Sequence, residues 1–471
     1  MRFATRRGPS FVPSGRALPW LLVLLMVCAG CGPRSGVSPE DEANVSSPHP
    51  SPGTPTHDAF PDKAEIRHAT GFTVSYHGTY KVVRVAADVK ALQLSSGEGR
   101  AWEKASFDLL VLVQRGTDPP VATGHLAEAT FIEVPIHSAA VNRDADALRI
   151  KHLGFMDRLV GIGGTGIFDS ELRDRVESGT LPAIGSALHR TMDLELLLTE
   201  TPAAVFLRVA SLDHTYEFQR LRDLGLASVP VYSWAETSAL ARAEWLKYIA
   251  LFFNAEAEAH RQFEQIQARY DELVTLVGTR SERPKAVWAY SPRAGGWRAH
   301  CRGVEAGLLG DAGMINVMAV EDAAVSSGEV GHSEGLSFSD ERFLKQAGDA
   351  EIWITWSPTD ERWPSARYLE GFLAYRDDNV FHHRKRRLPS IGADDWYELG
   401  QLRPDLILAD LIAVAHPELL PDHELVFLDR LPRTKVRDLH LSMDLGTKDI
   451  LPSNTRWAST RKYRHSGDLH E

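Results

Sequence analysis

The sequence predicts an α/β protein of two Rossmann-like lobes with parallel sheets, joined by a long α-helix and preceded by a small N-terminal β segment. Three observations predict it. From Phe131 to Tyr232 short apolar runs alternate with helical stretches, and a second such series follows Pro284. Strands that alternate with helices form βαβ units, and so a largely parallel sheet. Between the two series, Leu246, Ile249, Phe253, Ala257, His260, Phe263, Ile266, Tyr270, Leu273 and Val277 step by three or four, which lines them up on one helical face.

Residues 1–31 have the order of a secretory signal: Arg2, Arg6, Arg7 and Arg16, then an apolar run from Leu18 to Val27, then small residues up to Cys31. A membrane-spanning helix needs roughly 20 apolar residues, and this run is about half of that. Ala29-Gly30-Cys31 resembles the lipobox of bacterial lipoproteins, with Cys28 departing from its usual aliphatic residue. Cys31 is the lipidation site that this resemblance implies. With Cys28 removed and Cys31 acylated, Cys301 is the one free thiol and no internal disulfide forms. Residues 32–61 are dense in Ser, Pro, Asp and Glu and poor in large apolar side chains, the composition of a disordered tether.

Residues 62–130 form the N-terminal β segment, with period-two patterning around Tyr76, Tyr80 and Val82 and a β-rich run from Phe107 to Val113. Residues 131–236 form the first lobe, with strands at Val134, Val160–Ile162, Ala204–Leu207 and Val229–Tyr232. The linker helix region is 237–280, where Asn254 is a possible N-cap that divides it. A second helix of about 24 residues then spans about 36 Å, long enough for a strut between lobes. Residues 281–431 form the second lobe, with strands at Ala286–Tyr290, Ile352–Trp356 and Asn379–Phe381, and 432–471 read as a polar tail. A net charge of −11 argues against nucleic acid as a partner but does not exclude an anionic ligand, because a local cluster of arginines can oppose the global sign.

Several segments, in this order, resemble class III periplasmic substrate-binding proteins of ABC importers. They are Val229-Pro230-Val231, Ala241 to Tyr248, Phe252 to Glu256, Asp311 to Asn316, Arg403 to Leu411 and His416 to Pro421. The last two are similar to the closing helix of iron-siderophore and cobalamin binders. The resemblance implies two rigid lobes on a helical backbone, with a ligand in the cleft between them: a ferric siderophore, cobalamin or haem. It departs from the family pattern at Ser291 to Arg298 and at Ala393 to Tyr397. An acidic residue on each lobe pairs with the permease in this family, and the matching positions are Glu195 and Glu341. The expected partners are the permease subunits, the chelate and, through the lipid, a membrane. The expected place is the periplasm or cell surface, and the expected state a monomer.

In open α/β sheets, ligands bind beyond the carboxyl ends of the strands. Candidate ligand-binding residues are therefore His137, Arg208 and Trp234 in the first lobe, and Arg293, Trp297, Arg298, Trp356, Arg362 and Trp396 in the second. Arginines offer donor forks to carboxylate or catecholate oxygens, and tryptophans offer flat apolar area. Together they suit a bulky, partly anionic chelate. Gly161 to Gly166 lacks the Gly-Lys-Ser/Thr ending of a phosphate loop and reads as a tight turn. His137, His214, His382 and His383 lack helical ligand spacing, so no resident metal or cofactor is expected. No catalytic motif stands out, and the chain is read as a binder and not an enzyme. The alternatives are a bare metal-ion binder or a ligand sensor of the same fold, and, further off, a periplasmic enzyme.

Overall fold

The computed structural model describes residues 58–86, 107–185, 192–209, 212–278, 280–320 and 335–444. The expected signal segment, Cys31 and nearly all of the tether lie outside them. Among the described residues no helix is long and apolar enough to cross a membrane.

The chain opens with a four-stranded sheet of β1 (Phe72–His77), β2 (Tyr80–Ala86), β3 (Phe107–Gln114) and β4 (Thr130–Val134) in that order. The first three strands are antiparallel, and β3 pairs with β4 in parallel. Alternation sorts the side chains of β2 and β3 between two faces. Val83, Val85, Leu110 and Leu112 enter the main core, while Val82, Leu109, Val111 and Val113 pack in a smaller cluster with Leu126 and Phe131.

The first lobe runs β5 (Ala139–Val141), α1 (Asp144–His152), β6 (Leu159–Ile162), α2 (Ser170–Glu177), α3 (Leu194–Glu200), β7 (Ala204–Arg208), α4 (Leu212–Asp223) and β8 (Ser228–Val231). Its sheet order is β6-β5-β7-β8, all parallel. Helices on a parallel sheet bury both strand faces, and β5 and β8 are buried throughout. Asp169 and Asp193 cap α2 and α3, accepting from Leu172 N and Leu196 N at 3.0 Å.

Two helices follow, α5 (Ala239–Ala250) and α6 (Glu256–Gly278). Asn254 divides them from a left-handed conformation with φ of 53°, one of the few residues that tolerate it. Lys81 reaches this junction from β2, donating to Leu251 O at 2.7 Å and Asn254 Oδ1 at 2.8 Å. The single apolar face of α6 serves two cores. Ala259 and Ile266 belong to that of the first lobe, whereas Tyr270, Leu273 and Val277 belong to that of the second.

The second lobe runs β9 (Lys285–Tyr290), β10 (Trp297–Ala299), α7 (Gly303–Asp311), β11 (Ile315–Asn316), β12 (Leu336–Phe338), α8 (Asp340–Ala347) and β13 (Ile352–Thr355). It continues through α9 (Ala366–Leu369), α10 (Leu373–Arg376), β14 (Val380–His382), the hairpin β15 (Arg387–Leu388) and β16 (Ala393–Asp394), α11 (Pro404–Ala415) and β17 (Asp429–Arg430). The sheet order is β12-β10-β9-β13-β14-β17, with β11 beside β9. The centre is parallel as expected, but β10, β12 and β17 pair antiparallel, so this sheet is mixed. The expected polar tail begins with a helix, α12 (Arg433–Asp444), which buries Val436. Residues 445–471 lie outside the described residues.

Two carboxylates fasten the N-terminal segment to α5. Glu244 accepts from the backbone amides of Arg67, His68 and Ala69 and from Lys247 Nζ at 2.8 Å, fully buried. Glu236 accepts from Thr70 N, Gly71 N and the Trp245 indole. Burial pushes the Glu244 carboxyl up, but Lys247 and the three amides outweigh it and hold it below its ordinary value. Glu244→Ala is expected to cost about 3–5 kcal/mol, the scale for removing one partner of a buried pair, read as a lower urea midpoint at neutral pH. Because the folded-state value is depressed, the gap between variant and parent should narrow as pH falls below the ordinary 4.5 of a glutamate.

Candidate ligand-binding cleft

A cavity of about 450 Å³ opens between the lobes, within the size range of small-molecule sites. Its walls differ in chemistry. The first-lobe wall carries Arg143 in the turn after β5, Arg149 on α1, Arg208 at the end of β7, Trp234 in the turn after β8, and Arg242 on α5. The second-lobe wall carries Tyr290 from β9, Arg298 from β10, Trp356 after β13, His383 after β14, and Trp396 with Tyr397. His300 and Glu305 lie at its base.

Most of the arginines on the first-lobe wall are partly neutralised. Arg149 donates to Asp146 Oδ1 at 2.7 Å, with both side chains almost wholly buried. Arg143 lies 3.5 Å from Asp144, and Arg242 reaches across to Glu305 at 3.8 Å. Burial pushes the Glu305 carboxyl up, but His300 at 3.5 Å and Arg242 outweigh it and hold it well below the usual carboxylate range. Arg208 differs. Its backbone amide donates to Asn142 Oδ1 at 2.7 Å, and its guanidinium lies over the Trp234 ring at 5.3 Å, with no carboxylate partner among the described residues. Burial, then the neighbouring Arg143, pushes it down to about 9. Trp234 is itself fixed by an indole bond to Val209 O at 3.0 Å.

The opposite wall is rigid for a different reason. Tyr290 and Trp356 pack at 5.3 Å, and His383 lies 4.4 Å from Trp396. Burial, then Arg384, pushes the His383 imidazole well down, so it is neutral. Arg384 stacks over Trp356 at 4.9 Å and is held by Asp360 and Asp394, and Arg387 also reaches Asp360. The basic run after His383 is thus largely folded inward by acidic partners.

Of the sequence candidates, Arg208, Trp234, Arg298, Trp356 and Trp396 meet at the cavity, and four others do not. His137 is exposed and precedes β5: the strand expected at Val134 is β4 of the N-terminal sheet, and the cleft residue after the true lobe strand is Arg143. Trp297 is core, stacked on Phe343 at 4.3 Å and edge-on to Trp353. Successive strand residues face opposite ways, so Arg298 and Trp297 cannot share the cavity. Arg293 is exposed and donates to Thr359 O at 2.9 Å; Arg362 is taken by Ser291 Oγ at 2.9 Å and Asp340 at 2.7 Å. Sequence reading missed Arg143, Arg149, Arg242, Tyr290, His300, Glu305, His383 and Tyr397. The signal available for Arg143 was the small-residue run Ala139-Ala140-Val141 before Asn142 and Arg143.

The glycine turn after β6 is a packing device. A Cβ on Gly163 would lie 2.4 Å from Asn142 O, and one on Gly166 would lie 2.6 Å from Ile391 O in the other lobe. Among the described residues no three His, Cys, Asp or Glu side chains are grouped to hold a metal ion, and the His214 side chain lies outside them. Glu195 and Glu341 are exposed in the first turns of α3 and α8, where carboxylates also favour the helix dipole. Trp297→Ala is expected to destabilise the fold by about 3–5 kcal/mol, as for a large buried aromatic. Chemical denaturation checks this, with Trp356→Ala, whose side chain is half-buried on the cavity wall, shifting the midpoint less.

A family model described as periplasmic binding protein matches residues 143–386. The chain is 23% identical over 255 residues to an uncharacterized lipoprotein of Methanocaldococcus jannaschii, covering 53% of this chain and 56% of that one. It spans about half the length of the curated relatives it matches. Among solved structures, the apo periplasmic haem-binding protein of Roseiflexus is 17% identical with a TM-score of 0.41, covering 60% of this chain and 99% of that one. The periplasmic vitamin B12 binding protein of Vibrio cholerae is 12% identical with a TM-score of 0.41, covering 59% and 96%. The matched segment runs from the first cleft arginine, through the α5–α6 linker, to the basic turn of the second lobe, over half of the 471 residues, and the chain belongs to the periplasmic binding protein family.

Proposed function

We propose that this protein is the substrate-binding lipoprotein of an ABC importer, and that it holds a metal chelate, a ferric siderophore, cobalamin or haem, between its lobes. The observation that carries the chelate reading is the pairing of walls: Arg208, which has no salt bridge among the described residues, in a row of arginines, facing Tyr290, Trp356 and Trp396. A guanidinium fork suits carboxylate or catecholate oxygens, and the aromatic wall suits a flat or aryl-bearing ligand. The absence of a grouped metal-ligand set among the described residues gives the bare-ion reading no support. Membrane attachment through Cys31, a periplasmic or cell-surface location and docking through Glu195 and Glu341 complete the proposal, and each is open to separate mutation.

Titration of the purified protein with haem, cobalamin, ferric catecholates and ferric hydroxamates, followed by tryptophan fluorescence and confirmed by calorimetry, tests it. Saturable binding of one chelate is expected. Arg208→Ala should weaken it about ten- to a hundredfold, the ~1.5–3 kcal/mol of a hydrogen bond to a charged group. Trp356→Ala should weaken it as well, and Arg293→Ala should leave it unchanged. A folded protein that binds none of the panel would overturn the chelate reading and favour a sensor of another ligand.

A further inference from the structure

Besides the ion pair at the base of the cleft, the lobes are joined by a contact that the ligand reading does not use. Glu398, in the second lobe between Tyr397 and Gln401 of the cavity wall, accepts from the backbone amides of Phe168 and Asp169 in the first lobe, the latter at 3.0 Å. Its side chain is almost wholly buried. The Arg386 guanidinium of the second lobe also lies over the Phe168 ring at 4.8 Å, and the Phe168 carbonyl accepts from Arg173 at 2.7 Å. Asp169 is the cap of α2 and pairs with Lys151 at 2.7 Å. The acceptor in one lobe thus grips a rigid helix start in the other, next to the point where Gly166 abuts Ile391 O.

We propose that Glu398 is a positioning residue, a buried clasp that fastens the second lobe to the start of α2 and thereby sets the spacing of the two cleft walls. Trp396, Tyr397 and Gln401 move with it, because Glu398 N donates to Asp395 O at 3.2 Å and Gln401 N to Glu398 O at 3.3 Å within one tight segment. The proposal rests on the previous section only in taking the cleft as the ligand site; the contact itself is independent of any ligand.

The clasp is sensitive to protons. Burial, then the charge of Asp144 at the start of α1, pushes the Glu398 carboxyl up to about 8, against the opposing pull of the two amides. The charged groups around it are Asp144 with Arg143, Asp395 with Arg386, Asp169 and Glu171 with Lys151, and Arg173 on the Phe168 carbonyl; His152 on α1 has Lys151, Arg403 and Asp169 about it. When the lobes part, water returns Glu398 toward its ordinary value of 4.5. The joined state therefore binds the proton more tightly, and its advantage is complete below that value and fades as pH rises through about 8.

Spin labels at Glu177→Cys on α2 and Arg367→Cys on α9, with Cys28 and Cys31 replaced by Ser in the full chain, read the interlobe distance by pulsed electron resonance. Cys301 is buried with its thiol pushed up to about 11, and stays unlabelled. Without ligand, Glu398→Ala should broaden and lengthen the distance distribution at pH 6. In the parent, the ratio of joined to parted protein should fall by about ten- to a hundredfold between pH 6 and 9, and Glu398→Gln should remove that dependence. A distribution unchanged by Glu398→Ala in a folded protein, or a pH response that survives in Glu398→Gln, overturns the clasp. If Glu398→Ala fails to fold, the Gln variant and the parent decide the matter. Chelate titration plays no part in this readout, so failure of the ligand proposal and failure of the clasp are separate results.

Discussion

The apolar stripe of α6 is the constraint on which the rest depends. Its first half is built into one hydrophobic core and its second half into another, along 23 residues of unbroken helix. A helix has no soft joint inside it, and close-packed cores resist sliding. The lobes therefore cannot swing freely about a loop. What freedom remains lies at the rim, in short contacts such as those of Glu398 with the first lobe.

Those contacts repeat a device used elsewhere in the chain. Glu244 and Glu236 grip the amides of residues 67–71, Asp410 accepts from Val426, Phe427 and Leu428, and Glu361 joins the loops after β9 and β13 through Ser291 N and Ser357 N. In each case a buried carboxylate replaces water for backbone donors that no strand or helix satisfies. The outcome differs with the company it keeps. Glu244 has Lys247 and three amides and is held below the usual range, whereas burial without a cationic partner pushes Glu361 and Glu398 up to about 8. The same residue type is thus a permanent fastening in one place and a titratable one in another.

These distinctions explain what could be read from sequence. The strut was legible because a three-and-four spacing over some 30 residues has no other physical reading. The lobes were legible from alternating strands and helices. Antiparallel edges were not, because β10, β12 and β17 are two or three residues long and carry no periodicity of their own. Cavity-lining residues were legible where a strand end was placed to within one residue, as at Arg208 and Trp356. His137 failed because β4 and β5 are separated by only a few residues and belong to different sheets. Trp297 failed because adjacent residues on a strand face opposite ways, and sequence alone does not say which of Trp297 and Arg298 turns inward. Arg242, on the linker helix, and Glu398 are invisible to any rule about strand ends.

The electrostatics of the cleft follow from the same bookkeeping of partners. Against a net charge of −11 the first-lobe wall gathers Arg143, Arg149, Arg208 and Arg242. Carboxylates partly neutralise three of them, and among the described residues Arg208 has no salt bridge, so the local excess falls chiefly on its guanidinium. Arg208 is half-buried, and burial with the neighbouring Arg143 outweighs the opposing pull of Asp146 and Asp144 and brings it down to about 9, so its charged form carries an electrostatic cost. An anionic group seated there offsets it, whereas a neutral ligand of equal shape leaves it in place. Under the proposed function, selectivity for charge therefore resides in this one unmatched side chain, and selectivity for shape in the aromatic wall opposite.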